Sequence, residues 1–153
     1  MRLLLITYYF PPCGGASVQR WLKWLPDLVE KGFDVTVLTT LDGDYPARDE
    51  SLLREIPPEV EVLRISTPKF SKFWKIMFGS DKTIPYGDLS PDSKDGFLRR
   101  VLIWTRLNLI IPDMRRIWNP RAYKAALAHL REKPADVLIT TGPPHSTHLI
   151  GLK

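Results

Sequence analysis

Two segments rich in proline and glycine carry residue types that could bind a ligand. Pro11-Pro12-Cys13-Gly14-Gly15 follows the apolar run Leu3–Tyr9, and Gly142-Pro143-Pro144-His145 follows the apolar run Ala135–Thr141. Each segment leads into a sequence with helical character, and the free N–H groups and dipole at a helix start favour anions. Glycine lets the backbone approach a phosphate closely, and proline reduces the ordering cost of a turn. We therefore expect both segments to line a phosphate-binding site, with Gly14 and Gly15 as the phosphate-binding residues.

The Gly14-Gly15 pair is equally compatible with an ordinary tight turn between a strand and a helix, and the spacing alone leaves both interpretations open. The segment lacks the third glycine of the dinucleotide fingerprint GxGxxG, and the sequence contains no GxxxxGK[ST] loop. A nicotinamide-dependent enzyme or a P-loop ATPase is therefore disfavoured.

Several side chains near these segments are candidates for substrate contacts. His145 is the candidate catalytic residue, because an imidazole at this position could contact a substrate hydroxyl; a solvated histidine at a helix terminus is the alternative. Ser146 and Arg20 are further candidate substrate contacts, and for Arg20 a surface salt bridge is the other interpretation. We expect His148 to pack against the sheet and His129, in the middle of a helix, to be structural or to lie on the surface.

Cys13 is the only cysteine, which excludes an internal disulfide and an all-cysteine metal site. A thiol beside a helix N-terminus can have a lowered pKa, but no partner histidine or aspartate stands nearby, so we expect no catalysis by Cys13. His145 and His148 lie three residues apart and would need further ligands to hold a metal, so no metal site is predicted. Asp113 and Asp136 are expected to cap the starts of a helix and a strand.

The elements that must position these residues follow from the hydrophobic periodicity. The predicted strands are Leu3–Tyr9, Phe33–Thr40, Val60–Ser66 and Ala135–Thr141. The predicted helical segments are Val18–Glu30, a short turn at Ser51–Ile56, Lys69–Gly79, Phe97–Ile111, Arg121–Glu132 and a helix from His145 to Leu152. Ser17 is the predicted N-cap of the first helix, which we expect to kink at Pro26, and Asn119 is the predicted N-cap of the helix Arg121–Glu132. This order indicates an α/β fold with a Rossmann-like, doubly wound and mostly parallel sheet, in which ligands bind beyond the carboxyl ends of the strands.

Composition and charge narrow the class of protein. A chain of 153 residues that is 44% apolar and 25% charged is typical of a globular domain and excludes a disordered tail.

The positive net charge is concentrated between residues 64 and 124. There, Lys69, Lys72 and Lys75 share one flank of a predicted helix that also carries Trp74, which is the pattern of an interfacial helix on an anionic membrane. A core-facing helix with a lysine-rich outer side is the alternative. No nucleic-acid-binding module accompanies these residues, so nucleic acid is not predicted as a partner.

Two stretches of the sequence resemble the N-terminal domain of family 4 glycosyltransferases of GT-B architecture. MRLLLITYYFPPCGGASVQRWLKWLPDLVEKGFDVTVLTT is similar to that family's first strand, P-P-x-G-G loop, arginine-bearing helix and second strand. ADVLITTGPPHSTHLIGLK is similar to a later strand with its Pro-Pro turn. The resemblance covers residues 1–40 and 112–153, and the middle third carries none of the family's motifs.

The resemblance implies two Rossmann-like domains that face each other across a cleft, with this chain as the N-terminal, acceptor-side domain and a donor-binding domain outside it. It implies retaining transfer from a nucleotide-diphosphate sugar to a glycan or lipid-linked acceptor, with no cofactor or metal, in the synthesis of cell-envelope polysaccharide. Gly14 and Gly15 would present N–H groups to the donor diphosphate, and His145 would lie near the family's active-site histidine. The chain alone would be inactive, and it would act in the cytoplasm at the inner face of the membrane. The alternative is a stand-alone Rossmann-like module that binds a nucleotide or an anionic lipid without catalysis.

Overall fold

A computed structural model describes residues 1–43, 45–68, 104 and 111–152 of the protein. The predicted helix Lys69–Gly79, with the membrane-contacting residues Lys69, Lys72, Trp74 and Lys75, lies outside the described residues. So does nearly all of the predicted helix Phe97–Ile111.

The described part of the chain contains strands, helices and short 3₁₀ turns in alternation. The strands are β1 (Arg2–Thr7), β2 (Asp34–Thr40), β3 (Glu61–Ile65) and β4 (Val137–Thr141). The helices are α1 (Ala16–Glu30), α2 (Asn119–Glu132) and α3 (His148–Gly151). The 3₁₀ turns are Glu50–Glu55, Met114–Trp118 and His145–Thr147.

The four strands form one parallel sheet in the order β3-β2-β1-β4. Leu4 of β1 lies opposite Thr36 of β2 on one side and opposite Leu138 of β4 on the other. This is the order of the first four strands of a doubly wound sheet, so the Rossmann-like α/β fold is confirmed. The chain adds β2 and β3 on one side of β1 and then crosses to place β4 on the other, so the strand order reverses between β1 and β4.

The core lies around β1, which is the most deeply buried strand. Leu4, Leu5 and Ile6 have no solvent exposure, and since successive residues of a strand face opposite sides, both faces of β1 are covered. Helix α1 contributes four residues to this core at helical spacing: Val18, Trp21, Leu22 and Leu25. The strand β4 is less enclosed, because the described residues pair it with β1 alone and leave Leu138 40% exposed.

Helix α1 begins differently from the prediction. Its N-cap is Gly15 rather than Ser17, which lies inside the first turn. The Gly15 carbonyl accepts the N–H groups of Val18 and Gln19, each at 3.1 Å, and this starts the helix two residues earlier than expected. The helix also continues through Pro26 to Glu30.

Helix α2 also begins before its predicted first residue. Asn119 was expected as the cap of a helix starting at Arg121, but Asn119 is itself the first residue of α2 and Trp118 is the N-cap. The Asn119 side chain instead donates to a distant carbonyl, that of Ser146. The prediction failed because a tertiary contact, which leaves no local signal, took the asparagine side chain.

Candidate functional site

The two proline- and glycine-containing segments lie side by side at the carboxyl edge of the sheet. Thr7, the last residue of β1, is paired with Thr141, the last residue of β4. Residues 8–15 and 142–147 therefore leave the sheet from adjacent strands, on either side of the place where the strand order reverses. In open parallel sheets this switch point is where a crevice forms and ligands bind. We call this edge of the molecule the switch-point site.

Gly14 and Gly15 differ in what their N–H groups do. The Gly14 N–H donates to the carbonyl of Ala47 at 3.0 Å, so the fold itself uses it. Within the described residues the Gly15 N–H has no acceptor, and Gly15 is exposed at the start of α1. The Gly14 N–H is therefore not available for the predicted phosphate contact. The available donors are the Gly15 N–H and the free N–H groups in the first turn of α1.

The segment 45–49 is hydrogen-bonded to the first proline- and glycine-containing segment, residues 11–15. The Asp49 N–H donates to the Pro12 carbonyl at 2.8 Å, and Cys13 and Arg48 form an isolated antiparallel bridge. This pairing places the Arg48 backbone beside the loop, while the Arg48 guanidinium lies 5.9 Å from the centre of the Tyr45 ring and 3.6 Å from a carboxylate oxygen of Glu50. No local pattern in the sequence places Arg48 beside the loop, because tertiary pairing between segments more than 30 residues apart creates this proximity.

Cys13 is buried within the first loop. The residue is 1% exposed, and burial raises the pKa of its thiol from 9.0 to about 11. Burial disfavours the thiolate because a charged sulfur loses its hydration in an apolar surrounding. Burial therefore favours the protonated thiol at neutral pH, and the absence of a catalytic role for Cys13 stays a prediction.

The second loop is held by Asp113 and Asn119. One carboxylate oxygen of Asp113 accepts the Ser146 N–H and the other accepts the Ser146 hydroxyl, both at 2.8 Å. Asp113 also accepts the Arg115 N–H at 2.9 Å, so it caps the turn Met114–Trp118 as predicted. The Asn119 side chain donates to the Ser146 carbonyl at 2.6 Å. Ser146 is fully buried, so its hydroxyl is engaged inside the protein and is not presented to a substrate in this conformation.

His145 and His148 are both exposed beyond the end of β4. Their rings are nearly parallel, with centres 6.3 Å apart, and the Nδ1 atom of His148 lies 2.9 Å from the Thr140 hydroxyl. Both rings also crowd Gly142, where an added Cβ would lie 3.1 Å from His145 Nδ1 and from His148 Nε2. His148 was expected to pack against the sheet; it does contact β4 through Thr140, but its side chain is exposed rather than buried there.

The other residues singled out from the sequence lie in other elements of the fold. Arg20 is exposed on α1 and makes no ion pair with the described residues. His129 is half-buried in α2. Asp136 accepts the Arg2 N–H at 2.7 Å, which ties the starts of β4 and β1 together at the opposite edge of the sheet.

The described residues show neither a metal-binding cluster nor a membrane-spanning helix. They contain no group of three or more histidine, cysteine, aspartate or glutamate side chains arranged to hold a metal ion. None of their helices combines the length and the apolar character needed to cross a membrane.

Comparison with known proteins does not extend these assignments. No protein-family model matches the sequence, and a search of the curated proteins finds no match. The family resemblance therefore rests on the residues of the two loops and the elements around them.

Proposed function

We propose that this chain is the N-terminal, acceptor-side domain of a retaining glycosyltransferase of the GT-B type. It would transfer a sugar from a nucleotide-diphosphate sugar to a glycan or lipid-linked acceptor. The observation that supports this most strongly is the pairing of Thr7 with Thr141, because it brings the two loops on which the resemblance rests together at the switch point of the sheet.

The two loops divide the chemistry between them in this proposal. The Gly15 N–H and the free N–H groups in the first turn of α1 face the donor diphosphate, since the start of a 15-residue helix favours an anion. His145 contacts a hydroxyl of the sugar or acceptor from the adjacent loop. As the bond to the sugar breaks, negative charge grows on the leaving diphosphate, and donors already oriented in the folded protein stabilise it. Loss of one such donor typically lowers the rate about 10²–10³-fold.

The proposed location follows from the basic and aromatic segment rather than from the described fold. Lys69, Lys72 and Lys75 with Trp74 are suited to an anionic membrane surface. A lipid-linked acceptor would be presented at that surface, so we propose that the protein works in the cytoplasm at the inner face of the membrane in cell-envelope polysaccharide synthesis.

The diphosphate assignment is tested by nuclear magnetic resonance of the backbone amides during titration with uridine diphosphate or guanosine diphosphate in the presence of EDTA. We expect the amide signals of Gly15 and Ala16 to move in a saturable way. The Gly14 amide is the internal control, because its N–H already donates to Ala47. Equal movement of both glycine amides, or none at all, would contradict the assignment.

The enzymatic assignment is tested by sugar transfer in the full-length gene product, with a panel of nucleotide sugars and a lipid extract as acceptor. His145→Ala should lower the transfer rate at least tenfold. Nucleotide binding without transfer from any donor would favour the alternative, a Rossmann-like module that binds a nucleotide or an anionic lipid without catalysis.

A further inference from the structure

We infer that Asp113 is a positioning residue that fixes His145 at the switch-point site by holding Ser146. The inference rests on the proposed contact between His145 and the substrate and adds a residue from another part of the chain. Asp113 lies 33 positions before Ser146, on the segment that precedes α2.

The Asp113 carboxylate grips the residue next to His145 at two points. Its two oxygens accept the main-chain N–H and the side-chain hydroxyl of Ser146, each at 2.8 Å. Asn119 adds a third contact by donating to the Ser146 carbonyl. The N–H, the carbonyl and the hydroxyl of Ser146 are therefore all bonded to one short segment, and the peptide group that joins His145 to Ser146 cannot move without breaking the bond to its N–H.

The segment that carries Asp113 is itself anchored. Trp118 is 1% exposed, its indole N–H donates to the Ile65 carbonyl at 3.3 Å, and its ring packs edge-on against Tyr8 with the centres 5.5 Å apart. The turn Met114–Trp118 is thereby tied to the carboxyl ends of β3 and β1. A continuous set of contacts joins these strand ends to Asp113, then to Ser146, and finally to His145.

Asp49 shows what an aspartate cap does without this additional task. It also caps a 3₁₀ turn, Glu50–Glu55, and it accepts the Ser51 N–H at 3.0 Å together with the Ser51 hydroxyl. The Asp49 side chain is exposed, and among the described residues its hydrogen bonds stay within its own turn. Asp113 makes the same local cap, but it also accepts two hydrogen bonds from a fully buried residue in the other loop. Capping alone does not require these two bonds.

The consequence for the reaction is geometric. Displacement of a reacting or substrate-orienting group by about 1 Å can lower a rate about 10²-fold. Asp113→Asn places an amide N–H where the Ser146 N–H now finds a carboxylate oxygen. The hydrogen bond from the Ser146 N–H is therefore lost. Ser146→Ala is the milder change, because it removes only the hydroxyl bond.

The first test follows the His145 ring directly. The chain has three histidines, so their ring signals are assigned by replacing His145 and His148 with Gln one at a time. In Asp113→Asn and in Ser146→Ala we expect the His145 signals to shift or broaden while those of His129 stay in place. Asp136→Asn is the matched control, since Asp136 accepts a single N–H at the opposite edge of the sheet. Unchanged His145 signals in folded Asp113→Asn and Ser146→Ala would overturn the inference.

The second test asks whether Asp113 acts through His145. In the full-length gene product, Asp113→Asn should lower kcat about 10- to 100-fold with a smaller change in the KM for the nucleotide sugar. The same substitution in a His145→Ala background should lower kcat less than twofold, because residues that act as a unit are not additive. Equal losses in both backgrounds would assign Asp113 a merely structural role. If the unaltered protein transfers no sugar, the proposed function fails, and the ring signals still decide whether Asp113 positions His145.

Discussion

Replacement of the two adjacent glycines by alanine should have opposite effects on stability. Gly15 has φ 118° and ψ 164°, a region of backbone conformation that is almost restricted to glycine. Gly14 does not have a positive φ. Gly15→Ala is the perturbation and Gly14→Ala is its matched control one residue away.

The magnitude follows from the surroundings of each position. A Cβ on Gly15 would meet no atom within 4 Å, so the whole cost is backbone strain, about 1–3 kcal/mol. A Cβ on Gly14 would lie 3.6 Å from the Ala47 Cβ and 3.8 Å from the Asp49 Cβ, which is ordinary contact. Alanine there stabilises the protein by about 0.4–1 kcal/mol, because the unfolded chain loses freedom. The two variants should therefore differ by about 1.5–4 kcal/mol.

The assay is urea unfolding followed by tryptophan fluorescence, with thermal unfolding as a second measurement. For a chain of this size the difference corresponds to a Tm gap of about 3 °C or more, with Gly15→Ala the lower. Amide titration with a nucleoside diphosphate below both Tm values should show weaker binding by Gly15→Ala alone, since the strain reorients its N–H. Equal stability of the two variants would refute the assignment of strain to Gly15.

Three further predictions concern other residues. Gly142→Ala should push the exposed His145 and His148 rings aside. Sugar transfer should then fall while the free energy of unfolding changes by less than about 1 kcal/mol. An unchanged transfer rate would contradict the role of these rings. Folding raises the pKa of the Cys13 thiol from 9.0 to about 11. The contribution of this thiol to the free energy of unfolding is therefore present below pH 9 and is lost between pH 9 and 11. That loss is about 3 kcal/mol, measured by urea unfolding against pH, and it should disappear in Cys13→Ala. Lys133 forms ion pairs with Asp34 and Glu61 at the surface, so Lys133→Ala should cost less than about 1 kcal/mol, and a larger loss that persists in 1 M salt would contradict this.

The local sequence was sufficient to predict most of the elements. The continuous apolar run that begins at Leu3 and the alternating run that ends at Thr40 predicted β1 and β2 to within one or two residues, because the side-chain period of a strand is a local property. The cap at Asp113 was predictable for the same reason, since the acceptor and its N–H are two residues apart. Local reasoning failed at Ser17, where the fold instead placed Gly15 at the helix start with a φ only glycine adopts readily.

The sequence was therefore sufficient to identify the two loops, whereas the tertiary structure decided which residues contact them. Whether β4 lies beside β1 or beyond β3 depends on hydrogen bonds between strands more than 100 residues apart, and the periodicity of either strand carries no trace of that choice. The same holds for Arg48 beside Cys13 and for Asp113 beside Ser146. Side-chain periodicity acts over a few residues and identifies strands and turns, whereas a site at the edge of a parallel sheet is assembled by strand order, which only the folded chain decides.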